Sequence, residues 1–314
     1  MNQGKLGEIQ HGQPPLVSVG MLAYNDQSYV ALAIEDILSQ SYEDFELIIS
    51  DDCSVDRTAA ICKEYAQKDS RIRFFYQQPR LGMQKNYEFV LAQARGQFFM
   101  WASSDDRWDK DFISILLGAI KLDKNLISVF CPFQFIDEDG NAYIGKNRGI
   151  HTNNYAGRNA FFRLAKFCFF YSDAFFYGLH RRELIQDIRI PIWWGINSIT
   201  PANNNYPPLC LFLARGGYLS VGESPLFYKR VHQNSQPRHS NEFANHFLLT
   251  KYFAFLLRKL NVLCESILAV QKGSQSLFLV LTVVPLFLSR CLFDCISMTA
   301  QKTSWHIRKL LRLN

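Results

Sequence analysis

From Leu16 onward the chain alternates short β-rich apolar runs with longer stretches in which apolar residues recur at three- and four-residue spacing. That alternation predicts stacked βαβ units around a mainly parallel sheet, whose buried strands read as near-continuous apolar runs. LVSVGMLA (16–23), FELIIS (45–50), RIRFFYQ (71–77) and QFFMWA (97–102) are the predicted strands. Between the first two, the segment from Tyr29 to Ser39 sets Val30, Ala33, Ile34, Ile37 and Leu38 on one helical face, with Asp26 or Ser28 placed to cap it. Ala59 to Gln67 and Met83 to Ala94 give two further helices. Polar clusters follow the carboxyl ends of strands one, two and four, where open α/β sheets bind ligands.

Past residue 125 the pattern loosens. Ile127 to Ile136 reads as one strand, DEDG (137–140) as a turn, and FFYGLHRRELI (175–185) as a strand leading into a helix or turn. PIWWGINSITPANNNYPP (191–208), rich in Pro, Asn and Gly, reads as a loop, and the chain after Asn241 is mostly helical in pattern. SLFLVLTVVPLFL (276–288) is apolar for 13 residues and carries Pro285 inside it; a bilayer-spanning helix needs roughly 20. The tail KTSWHIRKLLRLN (302–314) is basic, with Trp305, Ile307, Leu310 and Leu311. It reads either as an interfacial helix or as a helix packed on the main domain.

Charge divides the chain. Residues 1–125 carry 13 Lys+Arg against 18 Asp+Glu, whereas 126–314 carry 21 against 10. The basic second part suits an anionic partner, such as membrane headgroups or a pyrophosphate-linked lipid, or is simply a solvated face. The length, 314 residues, allows one large α/β domain with appendages or two modest domains. Eight scattered cysteines include no CxxC pair and no zinc-ligand spacing, and the first residues have no apolar run behind a basic start. Reduced core cysteines in a cytoplasmic protein are the expectation.

Three constellations carry candidate chemistry. DDCSVDRT (51–58) puts two carboxylates at a strand end, able to accept from a base or ribose, or else to cap a helix. RLGMQKNYEF (80–89) flanks Gly82 with Arg80 and Lys85 just before a helix, a place suited to a diphosphate, although lone surface cations are common. SSDDRW (103–108) is a second carboxylate pair after a strand; one or two Asp at such a loop suffice to pin a hard divalent ion on phosphate oxygens. Three features at successive strand ends, with the middle one cationic, are difficult to attribute to coincidence.

PLVSVGMLAYN (15–25), ILSQSYEDFELIISDDCSVDRTA (37–59) and LGMQKNYEFVLAQARGQFFMWASSDDRW (81–108) together resemble the family 2 glycosyltransferases, enzymes of GT-A fold. The resemblance implies a Rossmann-like, mainly parallel α/β sheet flanked by helices, with a helical C-terminal extension. It places Ala23, Tyr24, Asp51 and Asp52 beside the base and ribose, Lys85 near the diphosphate, and Ser104 and Asp105 on the donor. The family's metal motif is commonly Asp-x-Asp-Asp; Ser103 here fills its first acidic position, leaving Asp105, with Asp106 alongside, for Mg²⁺ or Mn²⁺. FYGLHRREL (176–184) and LARGGYLSVGESPLFYKRVH (213–232) resemble later family stretches, and His232 falls where such enzymes often contact metal or diphosphate, with Arg230 nearby.

One departure concerns the catalytic base. The family's acidic residue, about eleven positions before the glycine of a segment like LARGG, is met here by ANNNYPPL, with Asn203, Asn204 or Asn205 at the site. An amide cannot take a proton at neutral pH. Either the register shifts, or Asp173, Glu183 or Asp187 serves, or the protein is impaired.

The expected organisation is a tail (1–14), a GT-A domain (15–240) with donor half 15–125 and acceptor half 126–240, and a basic extension (241–314). The expected partners are a UDP-, GDP- or dTDP-sugar and a glycan or lipid-linked acceptor, with no nucleic acid. Trp193, Trp194 and Tyr206 are candidates to stack on sugar faces. Inverting transfer in cell-surface polysaccharide or glycolipid synthesis, with peripheral contact at the inner face of the cell membrane, completes the expectation.

Overall fold

The computed structural model describes residues 14–143, 154–155, 157, 159–169, 174–188 and 206–232. In chain order the first half forms β1 (Val17–Ala23), α1 (Val30–Leu38), β2 (Phe45–Asp51), α2 (Thr58–Lys68), β3 (Ile72–Tyr76), α3 (Met83–Gln93) and β4 (Phe98–Ser103). There follow β5 (Arg107–Trp108), α4 (Phe112–Leu122), β6 (Leu126–Phe130), β7 (Phe133–Ile136) and α5 (Ala160–Phe169). The last described elements are β8 (Leu179–Arg181), α6 (Tyr206–Arg215), β9 (Gly217–Ser220) and β10 (Phe227–Arg230).

The main sheet runs β3-β2-β1-β4-β8-β6-β9. Strands β1 to β4 are mutually parallel, β8 is antiparallel to both β4 and β6, and β9 is parallel to β6. The chain winds outward from β1 to β3, then returns through α3 to β4 on the far side of β1. The strand order therefore reverses between β1 and β4, which opens a crevice at their carboxyl ends. Register makes the tips level: Ala23 pairs with Asp51, and Leu22 with Ser103. A smaller sheet, β5-β10-β7, sits beyond this edge, with Phe227 opposite both Trp108 and Phe133.

β1 and β2 are buried nearly throughout, as strands covered on both faces must be. Gly20 is where α3 comes closest: a Cβ there would lie 2.7 Å from Phe99 Cζ and 2.8 Å from Val90 Cγ2. Buried phenylalanines, among them Phe98, Phe112, Phe130, Phe176, Phe212 and Phe227, fill the core. The Trp101 ring stacks on Phe176 at 4.4 Å and its indole N–H donates to the Tyr87 carbonyl at 3.1 Å.

Several expectations change. Ile127–Ile136 is two strands in different sheets, β6 and β7, separated at Cys131–Pro132, where proline has no N–H for a ladder. The 175–185 segment places β8 between single-turn 3-10 helices at Ala174–Tyr177 and Arg182–Leu184. The end of the loop expected over 191–208 is instead the start of α6, with Pro207 and Pro208 in a first turn that needs no N–H. Residues 189–205, and with them Trp193, Trp194 and Asn203–Asn205, lie outside the described residues, as do Asp173, the apolar stretch 276–288, and the whole extension 241–314. Among the described residues no helix is long and apolar enough to cross a membrane. Cys62 and Cys131 are buried free thiols and Cys53 is a half-buried one.

Candidate functional site

The tips of β1, β2 and β4 are tied to one another before any ligand is considered. Asn25, in the left-handed region at φ 55°, donates its amide to Ser54 Oγ at 2.9 Å and accepts the Val55 amide on Oδ1 at 2.9 Å. Asp26 N–H donates to Thr58 Oγ1 at 2.8 Å. Neither Asp51 nor Asp52 caps α2; Asp56 Oδ1 accepts its first amide, that of Thr58, at 2.9 Å. Asp51 is fully buried and accepts the Ser54 amide (2.9 Å) and hydroxyl (2.5 Å); burial raises its carboxyl above the usual range, more than the Ser54 bonds lower it. Asp52, 2% exposed, accepts the Leu81 amide at 2.7 Å, the Gly82 amide at 3.1 Å and Arg80 Nε at 3.2 Å. Both carboxylates thus order the loops around the crevice. Ala23 is likewise buried, its carbonyl accepting the Asp52 amide at 2.9 Å.

Above Asp52 the Arg80 guanidinium lies on the Tyr24 ring at 3.7 Å, and Tyr24 is 38% exposed. A planar group resting on an open aromatic face beside a carboxylate shows that the position accepts a flat hydrogen-bond donor. Gly82 turns the chain at φ 82° into α3, a conformation that suits glycine. Lys85 is exposed in the first turn of that helix, whose N-terminal amides and dipole favour an anion.

At the β4 tip, Ser103 Oγ donates to Asp105 and Ser104 Oγ to Asp26. His232 Nε2 is 3.0 Å from Asp105 Oδ2. Burial by itself would raise the Asp105 carboxyl; the bonds from His232 and Ser103 prevail and hold it below the usual range. The same bond raises His232, so each group favours the charged form of the other. Asp106 behaves differently. It is buried at 2% exposure, accepts the Arg230 amide at 2.9 Å, and is raised well above the carboxylate range by burial and then by the Asp105 charge. Asp106, expected beside the metal, thus serves to hold β10. Arg230 completes the join: Nε donates to the Asp105 carbonyl at 2.9 Å and Nη1 to the carbonyls of Asp137 and Glu138 at 2.8 and 2.7 Å. The Tyr29 ring lies against both Arg230 (4.7 Å) and His232 (5.2 Å).

α1 anchors the strand that follows the motif. Asp36 binds Arg107 through Nε and Nη2 and accepts the Trp108 amide at 3.0 Å, while Gln40 donates to the Asp109 carbonyl at 2.7 Å and accepts the Ile113 amide at 2.9 Å.

Of the base candidates, Glu183 and Asp187 do not join this group, and Asp173 lies outside the described residues. Glu183 lines an open cleft with Pro15, Leu16, Arg95, Gln97 and Arg182 at the amino ends of β1 and β4, the opposite edge of the sheet from Asp105. Asp187 pairs with Arg215 at 2.5 and 2.7 Å near that same edge. One participant escaped the sequence reading. Asp26, anticipated only as a helix cap, makes no side-chain cap bond to α1 and instead faces Ser104 across the crevice; burial pushes its carboxyl up to about 6, partly countered by the Ser104 bond and reinforced by the Asp105 charge. The usable signal was its place just past the first strand, at the reversal of strand order.

A divalent cation is tested by the donor set. Asp105 and His232 offer one carboxylate oxygen and one imidazole nitrogen at a single point, a set compatible with Mn²⁺ or Mg²⁺ when phosphate oxygens and water supply the rest. Among the described residues no three His, Cys, Asp or Glu side chains converge for a metal, so the protein's share would be these two donors.

The sequence model described as Glycosyl transferase family 2 matches residues 18–187. TuaG of Bacillus subtilis, described as a teichuronic acid biosynthesis glycosyltransferase, is 32% identical over 126 residues, covering 40% of this chain and 50% of that one. The chain spans about half or less of the length of the curated relatives it matches. Among solved structures, S. aureus TarS 1–349 in complex with UDP-GlcNAc superposes with a TM-score of 0.54 at 16% identity, covering 87% of this chain and 72% of that one. The mannosyltransferase PcManGT from Pyrobaculum calidifontis, solved with GDP-Man and Mn²⁺, gives 0.50 at 13% identity over 93% and 83%. These likenesses show the GT-A fold.

Proposed function

The chain belongs to glycosyl transferase family 2, and from that premise we propose that it transfers a sugar from a nucleoside-diphosphate donor to a hydroxyl acceptor with inversion. The observation that carries the reading is the convergence of the β1, β2 and β4 tips with His232, whose Nε2 stands 3.0 Å from Asp105. In this reading the nucleobase takes the place on Tyr24 now held by Arg80, with Asp52 at its edge. The diphosphate lies at the start of α3 near Lys85. Asp105 and His232 would hold Mg²⁺ or Mn²⁺, which would supply positive charge against that developing on the departing nucleoside diphosphate. Lys85 and the α3 amides do the same from the other side, because stabilising the leaving group is the main electrostatic task. The acceptor hydroxyl attacks the anomeric carbon from the opposite face as the carbon–oxygen bond to the nucleoside diphosphate breaks, and it gives up its proton to a general base or to water. A glycan or lipid-linked acceptor in cell-surface polysaccharide or glycolipid assembly agrees with the basic composition of residues 126–314.

The test is incubation of the purified full chain with UDP-, GDP- and dTDP-sugars and Mn²⁺, following nucleotide release and the anomeric configuration of the product. Metal-dependent release with an inverted product supports the reading. Metal-dependent donor affinity without any turnover would instead identify a binding protein that has lost its base.

A further inference from the structure

The β1–α1 loop brings to the crevice a carboxylate with no part in the reading above. Asp26 is fixed at three points. Its amide is held by Thr58 Oγ1 at 2.8 Å, its carbonyl accepts the Tyr29 and Val30 amides at 2.9 Å each, and its side chain takes the Ser104 hydroxyl. Its backbone is therefore fixed by the start of α1, and its side chain is held toward the crevice by the Ser104 hydroxyl. The Ser104 hydroxyl, next in the chain to Asp105, holds its carboxylate at the β4 tip, within reach of the Asp105 and His232 charges.

We propose that Asp26 makes donor binding conditional on the divalent cation. A bare diphosphate entering beside Asp105 meets a second fixed negative charge and is repelled; a diphosphate already carrying a cation is drawn in by that same charge. In thermodynamic terms Asp26 sets part of the coupling between cation and nucleotide, and linkage requires that each ligand change the affinity of the other by one common factor. Asp26 acts across the crevice, by charge, since no third ligand group converges with Asp105 and His232 among the described residues. The inference rests on the donor and cation assignment made above.

The experiment is calorimetric titration of UDP and of GDP into the full chain at about pH 8, where carboxylates are ionised, with and without Mn²⁺, on the wild type, Asp26→Asn and Asp26→Glu. Asn keeps an acceptor for the Ser104 hydroxyl and removes the charge; Glu keeps the charge. The wild type should bind one of the nucleotides about tenfold or more tightly with Mn²⁺, a coupling of ordinary size. In Asp26→Asn the metal-free affinity should rise several-fold and the Mn²⁺ factor should fall to roughly a third or less, while Asp26→Glu keeps most of it. Mn²⁺ affinity followed by electron paramagnetic resonance, with and without nucleotide, should give the same factors. A melting midpoint near that of the wild type certifies each variant, and Asp26→Ser replaces Asn if the amide does not fold. An unchanged Mn²⁺ factor in the uncharged variant overturns the inference, as does equal loss in Asn and Glu. A wild type that binds neither nucleotide under any condition overturns the donor reading itself, and the inference with it.

Discussion

His180 offers a quantitative test of how the two halves of the sheet are joined. It lies in β8, between β4 and β6, with no exposed surface, and the Trp101 and Phe212 rings pack against it at 5.4 and 5.0 Å. Nε2 stands 3.0 Å from the Phe176 carbonyl, which assigns the proton of the neutral ring to Nε2. Nδ1 is buried with no partner among the described residues, so a second proton would find nothing there to bond to. Burial accordingly lowers the imidazole to about 4. In the unfolded chain it returns to about 6.5. Because the folded value is the lower one, this contribution to stability is fully present above about pH 6.5 and is lost as the pH falls toward 4. Integration gives a loss of about 2 kcal/mol by pH 5 and about 3 kcal/mol by pH 4, at about 1.4 kcal/mol per unit. His180→Gln keeps a donor for the Phe176 carbonyl and does not titrate. Urea unfolding of both proteins at about pH 7 and about pH 5 should show the variant losing about 2 kcal/mol less than the wild type across that interval. All other titrating groups are common to the two proteins and cancel in the difference. Equal losses would refute the claim that a neutral, half-satisfied imidazole sits at this junction.

Asp105→Asn should lower initial rates of nucleotide release at least about a hundredfold, with far-ultraviolet circular dichroism unchanged; a rate near wild type removes Asp105 from the site. Asp52→Ala leaves the Leu81 and Gly82 amides without their acceptor. It should cost about 2–4 kcal/mol in chemical denaturation and raise the donor KM more than it lowers kcat, and a KM that does not move would count against the base pocket. Gly20→Ala sets a methyl within 3 Å of Val90 and Phe99 and should destabilise the fold by about 1–3 kcal/mol, readable as a shifted urea midpoint at constant slope.

The fold of residues 15–125 was readable in sequence because its first four strands are local apolar runs, and the candidate residues lie at strand ends, where adjacency along the chain and adjacency in space coincide. The part after residue 125 was less so. β8 is a three-residue strand, too short for periodicity to register, and its place between β4 and β6 is decided by the packing of His180 and Phe176 on Trp101. Pro132 divides an apolar run that carries no other break. Asp51 and Asp52 were visible as carboxylates, but their burial depends on backbone amides of Ser54, Leu81 and Gly82 arriving from elsewhere. Asp26 shows the same limit most sharply: next to α1 it looks like a cap, and only the parallel pairing of β1 with β4 turns it toward Ser104. Glu183 and Asp187 were plausible by residue type and lie at the edge of the sheet opposite Asp105.

The small β5-β10-β7 sheet also bears on the order of assembly. Asp105 is fixed as soon as β4 pairs with β1, whereas its imidazole partner is 127 positions later and arrives only when β10 docks on the two residues of β5. Closing so long a loop is entropically slow and is not rewarded until the strand is in place. A ribosome-bound chain halted before Phe227 would hold the aromatic shelf and Asp105 yet have no histidine to set beside that carboxylate. Competence for the cation would thus come after the rest of the described fold, as a single late event.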